Sequence, residues 1–206
     1  MPAKEAKEHP LLPRLFCLVS SEDDLALLPA LAGTGVDGFQ VRDKHATTRE
    51  LVELTRVVRG SVEAYGAVVV VDDRLDVALA TGAAGVHLGA DDLPVAEARR
   101  LAPGLLIGAT CRSRAEVATA ADHGADYAGF GPLFTTRSKA GLPDPFGLGA
   151  LAAACGILPL IGIGGIDAET AGGARAAGAY GVAVIGSIWR QPDPVQAAKE
   201  LVAAVA

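Results

Sequence analysis

Eight short apolar runs, most of them rich in β-branched residues, punctuate the chain: LFCLV at 15–19, GFQV at 38–41, AVVVV at 67–71, GVHL at 85–88, LLIGA at 105–109, YAGF at 127–130, PLIGI at 159–163 and GVAVI at 181–185. Between them lie Ala-, Leu- and Arg-rich segments with helix-start signals. Ser21-Glu22-Asp23-Asp24 supplies cap-like residues and N-terminal acids for a first helix. Further helices are expected over 47–59 and 75–80, from Pro94 (whose missing N–H costs nothing at a first helical position), after a Ser113 cap, and over about 195–205. Strands alternating with helices predict a parallel sheet, and eight such pairs predict its closure into a single-domain (β/α)8 TIM barrel of the α/β class. An open doubly wound sheet is the competing architecture.

Four segments echo one another: GTGVDGFQV, ATGAAGVHL, HGADYAGFG and AAGAYGVAV each read Gly, small or polar residues, Gly or Ala, then strand. They precede strands two, four, six and eight, as repeated (βα)2 units would leave behind. The first Gly of each is a natural helix C-cap. At 206 residues the chain is near the short limit for a barrel, so few decorations fit. The expected organisation is an N-terminal extension over 1–13 and one catalytic barrel domain over 14–206. Function is expected at the C-terminal ends of the strands.

Composition narrows the classes of function. Half of the residues are hydrophobic and 20% are charged, which allows a large core and leaves little for disordered tails. No apolar run approaches the roughly 18 residues a membrane helix needs. The opening MPAKEAKEHP carries acids in place of an apolar signal core, so a cytoplasmic protein without a membrane partner is expected. The net charge of -6 argues against nonspecific nucleic-acid binding. Cys17, Cys111 and Cys155 are odd in number and lack paired-ligand spacing, so they read as reduced structural thiols. No signal in the chain specifies an oligomeric state.

The candidate chemistry lies at the strand ends. The segment GPLFTTRSKAGLPDPF at 131–146 is too long for an ordinary connection. Compact domains rarely keep a loop of about 15 residues unless it binds or covers something. Its Thr135, Thr136, Arg137, Ser138 and Lys139 offer hydroxyl donors and a mobile cation to an anionic group, a plain surface loop being the alternative. Strand two ends Gln40-Val41-Arg42-Asp43-Lys44, and alternation puts Gln40, Arg42 and Lys44 on one face. Two cations and an amide projecting together suit an oxyanion with several charges, such as diphosphate, or else a solvated strand end. Strand three ends Asp72-Asp73-Arg74 and strand four runs into Gly89-Ala90-Asp91-Asp92. Oxygen-only ligands at adjacent strand ends suggest Mg2+ and not zinc, although Asp72 and Asp91 could instead cap helices. His87, within strand four, reads as a hydrogen-bonded core residue. Strands seven and eight end in Gly162-Ile163-Gly164-Gly165-Ile166 and Val184-Ile185-Gly186-Ser187, where this fold commonly binds a monophosphate through backbone N–H groups. Two anion sites with the Thr/Ser/Lys loop between them imply two phosphorylated small-molecule substrates.

From Arg14 onward the chain resembles the thiamine-phosphate synthase family, which also includes the related thiazole tautomerases. The family's Gln-x-Arg-x-Lys falls on Gln40, Arg42 and Lys44, its Asn-Asp pair on Asp72-Asp73, and its His-x-Gly-Gln-x-Asp on 87–92. Its Gly-Pro loop with Thr-x-Thr/Ser-Lys falls on Gly131-Pro132 with Thr136, Ser138 and Lys139, and its Gly-Ile-Gly-Gly-Ile on 162–166. The resemblance implies a transferase in which aminomethylpyrimidine diphosphate loses diphosphate to give a pyrimidine cation. The nitrogen of hydroxyethylthiazole phosphate then captures the cation to give thiamine phosphate. It implies Mg2+ on Asp73 and Asp92, and a catalytic set of Arg42, Lys44, Thr110 and Lys139. The same set, with Gln40 and Asp72, would bind the pyrimidine diphosphate; Thr136, Ser138, Gly165, Ile185 and Gly186 would bind the thiazole phosphate. Four positions depart from the family pattern: Asp72 replaces Asn, Ala90 replaces Gln, Thr110 replaces Ser, and Gly186 stands where Ser is frequent. An ionised Asp72 is expected to join the metal or, alternatively, to cap the following helix. Thiazole tautomerase activity and a noncatalytic phosphate-ligand barrel are the alternative functions. The tautomerases put a catalytic His where this chain has Thr110, and Thr is no general base near neutral pH.

Overall fold

A computed structural model describes residues 12–136 and 143–206. Strands β1 (Leu15–Val19), β2 (Gly38–Val41), β3 (Val68–Asp72), β4 (Gly85–Leu88), β5 (Leu106–Cys111), β6 (Tyr127–Phe130), β7 (Leu160–Ile163) and β8 (Gly181–Val184) form one closed barrel in sequence order. β8 pairs in parallel with β1, which excludes the open sheet. Around the barrel run α1 (Leu28–Gly33), α2 (Thr48–Val62), α3 (Leu75–Thr81), α4 (Val95–Leu101), α5 (Arg114–Asp122), α6 (Gly147–Ala154), α7 (Ala168–Ala176), a short α8 (Gly186–Trp189) and α9 (Pro194–Val205).

Local chemistry sets the helix starts. Thr47 and Glu50 form a capping box at α2, and Asp167 and Thr170 form another at α7. The Ser113 hydroxyl accepts from the Glu116 amide at α5, as expected. The first helix differs from expectation. Asp24 caps only a 3-10 turn over Leu25–Leu27, and α1 begins at Leu28. Pro29 lacks the N–H that a continuous helix would need at that point, so the helix restarts there. Pro94 is the cap residue of α4 and Val95 its first residue, one position later than expected.

Two cores share the strands. Outward side chains pack under the helices; the inner cluster comprises Leu12, Phe16, Leu18, Val70, Leu106, Tyr127, Ile161 and Ala183. Leu12 lies before the expected boundary at Arg14, yet it is buried and its carbonyl accepts the Tyr180 hydroxyl at 3.1 Å. The echoed segments acquire a physical reason here. Gly82, Gly124 and Gly178, the first glycines of three segments, have positive φ, as a helix C-terminus requires; in the first segment Gly33 ends α1 and it is the second glycine, Gly35, that has positive φ. Their later position is the first residue of each even strand: Gly38, Gly85, Tyr127 and Gly181. A Cβ on Gly85 would lie 2.4 Å from the Leu106 carbonyl oxygen, and one on Gly181 2.4 Å from that of Arg14. The fourth member, Tyr127, carries a side chain that belongs to the inner cluster and stacks on Phe16 with centroids 5.8 Å apart. All three cysteines are free, and burial raises the thiol pKa of Cys17 and Cys111, in keeping with unreactive structural thiols.

Gly85→Ala is expected to destabilise the barrel by about 1–3 kcal/mol, because the group it strikes is a strand carbonyl that cannot rotate away. Chemical denaturation measures this; an unchanged midpoint would show that the strand yields.

Candidate active site

At the barrel mouth, period-two alternation brings the β2 side chains onto β3. Gln40 is buried and donates from Nε2 to Asp72 Oδ1 at 2.7 Å. Arg42 Nε lies 3.2 Å and Lys44 Nζ 3.4 Å from Asp72 Oδ2. Asp72 therefore gathers the three residues expected to meet a polyanion. Burial, then the charge of Asp73, push its carboxyl up, against the pull of Lys44, Arg42 and Gln40. The helix-capping alternative for Asp72 is not realised: Arg74 is the cap residue of α3 and makes no side-chain cap bond. Nor does Asp91 cap α4, where Pro94 holds that position.

One residue on, the chain turns sharply. Asp73 has φ 63, a left-handed conformation that Asp tolerates better than most residues. Its N–H donates to the His87 carbonyl at 2.7 Å, and its carboxylate pairs with Lys44. Its carboxyl group is also hydrogen-bonded to that of Asp92, whose Oδ2 accepts the Gly89 amide at 2.7 Å. Burial acts to raise Asp73, but Lys44 and the bond from Asp92 hold it below the usual carboxylate range. Asp92 is raised by burial and by its bond to Asp73. Among the described residues no group of three or more His, Cys, Asp or Glu forms a ready metal cage.

The centre of the mouth is a relay across β4, β5 and β6. His87 Nδ1 is 3.2 Å from the Tyr127 hydroxyl, and Nε2 is 3.0 Å from Thr110 Oγ1. The relay fits because Gly108 and Gly129 flank it: a Cβ on Gly129 would sit 2.8 Å from the His87 ring, and one on Gly108 2.1 Å from Tyr127 Cζ. Burial raises the Tyr127 phenol, so it keeps its proton and can donate it to Nδ1. In the tautomer that carries the ring proton on Nε2, His87 donates to Thr110. The Thr110 hydroxyl proton is then left to point at a group in the cavity. His87 is hydrogen-bonded, as the sequence suggested, and also lines the cavity.

The opposite wall is glycine backbone. Gly164 and Gly165 have φ 95 and 67. They serve partly to admit the chain after β6: Leu133 N–H donates to Ile163 O and Phe134 N–H to Gly164 O, both at 2.9 Å. A Cβ on Gly165 would lie 2.4 Å from the Thr135 carbonyl. The far end of the long 131–146 segment is fixed beside its start, Phe146 N–H donating to Pro132 O at 2.8 Å.

A cavity of about 480 Å³ opens between the two walls. Of the expected site residues, Gln40, Arg42, Lys44, Asp72, Asp73, Thr110, Thr136, Gly165, Ile185 and Gly186 line it. Asp92 stands behind Asp73. Ser138 and Lys139 lie outside the described residues. Arg112 and Arg190 also line the cavity and were not expected. Arg112 continues the face of Thr110 past the strand end, a signal that period-two counting could have caught. Arg190 follows a four-residue helix that no pattern announced.

A closed (β/α)8 barrel carries a charged wall and a glycine-rich wall around one cavity at the C-terminal ends of its strands. The family model described as Thiamine monophosphate synthase matches residues 15–188. A "Thiamine-phosphate synthase" of Chlorobium luteolum is 45% identical over 194 residues, covering 92% of each chain. One of Methanoculleus marisnigri is 47% identical over 181 residues, covering 86% of this chain and 85% of its own. The solved thiamine phosphate pyrophosphorylase from Pyrococcus furiosus has a TM-score of 0.85 at 34% identity, covering 93% of this chain and 95% of that one. The chain belongs to the thiamine-phosphate synthase family and is a transferase of that class.

Tyr127→Phe is expected to free the His87 tautomer and cost about 1–3 kcal/mol of stability, since a part-buried ring nitrogen loses its hydrogen-bond partner. Nitrogen-15 chemical shifts of the imidazole report the tautomer. A His87 still protonated only on Nε2 in the variant would mean that another contact sets it.

Proposed function

We propose that the chain joins aminomethylpyrimidine diphosphate and hydroxyethylthiazole phosphate into thiamine phosphate and diphosphate, by a dissociative path at this mouth. The observation that carries the reading is the opposition of two unlike anion-binding walls, cationic at β2 and amide-lined at β7 and β8, across a single cavity. Arg42 and Lys44 would hold the diphosphate, with Lys139 joining through the family motif. Their charge-assisted hydrogen bonds strengthen as negative charge develops on the leaving oxygen. The C–O bond breaks with both electrons going to diphosphate, and the thiazole nitrogen lone pair forms the new C–N bond, so no proton need move. Thr110, its own acceptor site filled by His87, would donate to the bound diphosphate. Gly165, Ile185 and Gly186, with Thr136 and Ser138, would hold the thiazole phosphate. The apolar floor of Phe16, Ile161 and Ile163 leaves little purchase for water that would otherwise trap the cation.

The donor chemistry fits Mg2+. Asp73 and Asp92 bring two carboxyl groups together, with Lys44 and the Gly89 amide as the nitrogen groups on the pair and neither of these a His or Cys side chain. Mg2+ is usually held by one or two carboxylates and completes its shell with water and substrate phosphate. Bound there, it would offset charge on the departing diphosphate. The tautomerase alternative lacks its base, because position 110 is a threonine whose hydroxyl is bonded to His87.

Product formation tests the reading. Thiamine phosphate should appear only with both substrates and a divalent cation, and excess chelator should abolish it. Full turnover in chelator would overturn the metal assignment while leaving the transfer intact; no product from the complete mixture would overturn the transfer.

Asp72 competes with the substrate for Arg42 and Lys44. Asp72→Asn removes that competing charge and is expected to tighten inhibition by diphosphate on the order of tenfold, a screened fraction of the several kcal/mol of a close charge pair. If Asp72 instead binds the metal, diphosphate inhibition stays the same and the cation concentration for half-maximal rate shifts.

A further inference from the structure

The wall proposed above for the thiazole phosphate is built of backbone, and backbone carries no net charge. A phosphate monoester carries about -1.5 to -2 at neutral pH. Side-chain donors at the β8 end are few. Gly186 has none, and the Ser187 hydroxyl proton is committed to the Ile166 carbonyl at 2.5 Å. The Gln191 amide meets the Gly186 carbonyl at 3.4 Å. Asp167, the acid on this rim, is occupied as the cap of α7.

Arg190 remains. Its side chain is exposed, lines the same cavity as Gly165, Ile185 and Gly186, and has no ion-pair partner among the described residues. Its stem lies across Gly186: a Cβ built there would sit 3.1 Å from Arg190 Cδ and 3.6 Å from Cγ. Arg190 thus occupies the space a side chain at 186 would take, and 186 is one of the four positions where this chain departs from its family, which often has Ser. Guanidinium groups suit phosphate oxygens in both charge and hydrogen-bond geometry. The geometry points to Arg190 as a charged side-chain ligand of the thiazole phosphate, beside Thr136 and Ser138, and a specificity-determining residue that replaces the hydroxyl missing at Gly186. It sets the preference for the phosphorylated thiazole over its free alcohol.

This inference rests on the proposed transfer reaction, and the test separates the two. Arg190→Ala should raise the KM for thiazole phosphate about 10- to 100-fold, the loss expected for a hydrogen bond to a charged group. The KM for pyrimidine diphosphate should stay within about twofold, as for a surface change remote from it. The ratio of kcat/KM for thiazole phosphate over thiazole alcohol should fall by the same factor as the KM rises. Calorimetric titration with thiazole phosphate reads the same loss without turnover. Gly186→Ser gives a second arm: it should weaken thiazole phosphate binding in the parent, where it meets the Arg190 stem, and strengthen it in the Arg190→Ala background. Unchanged affinity in Arg190→Ala, or a serine effect of the same sign in both backgrounds, overturns the assignment. A parent that binds thiazole phosphate through Arg190 but makes no thiamine phosphate would sink the transfer reaction and leave Arg190 standing. A parent that binds none would sink both.

Discussion

The interior of a small barrel has room for only some of the side chains its strands aim inward, and this shortage of space organises the molecule. Gly38, Gly85 and Gly181 leave out a side chain at the starts of β2, β4 and β8, where Pro13 and Phe16, Leu106 and Val70, and the Arg14 backbone come close. The same economy one layer higher sets the chemistry. Gly108 and Gly129 leave a slot in which His87 lies flat against β5 and β6, where both ring nitrogens find partners. Because Tyr127 is both a core filler and a hydrogen-bond partner of His87, the packing of the floor reaches the cavity through the imidazole that Thr110 also touches. Close-packed interiors transmit such constraints, since a displaced ring has no void to move into.

The charged wall follows a different logic. Three carboxylates at the ends of β3 and β4 would repel one another strongly; two unit charges about 4 Å apart interact by roughly 4 kcal/mol even at an effective dielectric of 20. The chain separates their tasks by a single turn. Asp72 points into the barrel, where Gln40, Arg42 and Lys44 surround it; Asp73, in its left-handed conformation, points across to Lys44 and Asp92. Strain at one backbone position thus places two adjacent acids in different environments, and only the second pair is left with oxygens facing one another. A residue held in that region at a strand end beside a cavity is where strain and function commonly coincide.

Much of this was legible in the sequence, for physical reasons that differ by element. The strands and their order could be read because barrel strands buried on both faces are continuous apolar runs, and glycine and cap residues punctuate the helices between them. Gln40, Arg42 and Lys44 could be placed together because alternation in a strand fixes a face. What they face could not: Asp72 meets them through pairing of β2 with β3, and a strand pattern says nothing of its neighbour's register. In sequence the Gly164-Gly165 pair suggests a phosphate cradle, and its tight contacts with Pro132, Phe134 and Thr135 show that it also admits a neighbouring loop. Proton direction in the Tyr127–His87–Thr110 relay depends on three strands at once, and α8 is too short to carry a period. Arg190 was invisible for that reason.

The two departures at Asp72 and Gly186 are instructive because each has an answer outside the family's motifs or in a changed use of them. An asparagine at 72 could both donate and accept; an aspartate accepts only, and here Gln40 presents its amide N–H₂ while Arg42 and Lys44 present cations. A carboxylate that far from water is tolerable only with such partners, so the substitution draws the motif's own cations inward when no polyanion competes for them. At 186 the change runs the other way: loss of a side chain opens space, and the stem of Arg190 lies across it. In both cases the residue that defines the local chemistry is the neighbour and not the substituted position. A motif transferred letter by letter therefore identifies where the chemistry lies, whereas the charge each substrate meets depends on contacts between residues 32 positions apart at Asp72 and one helical turn apart at Gly186.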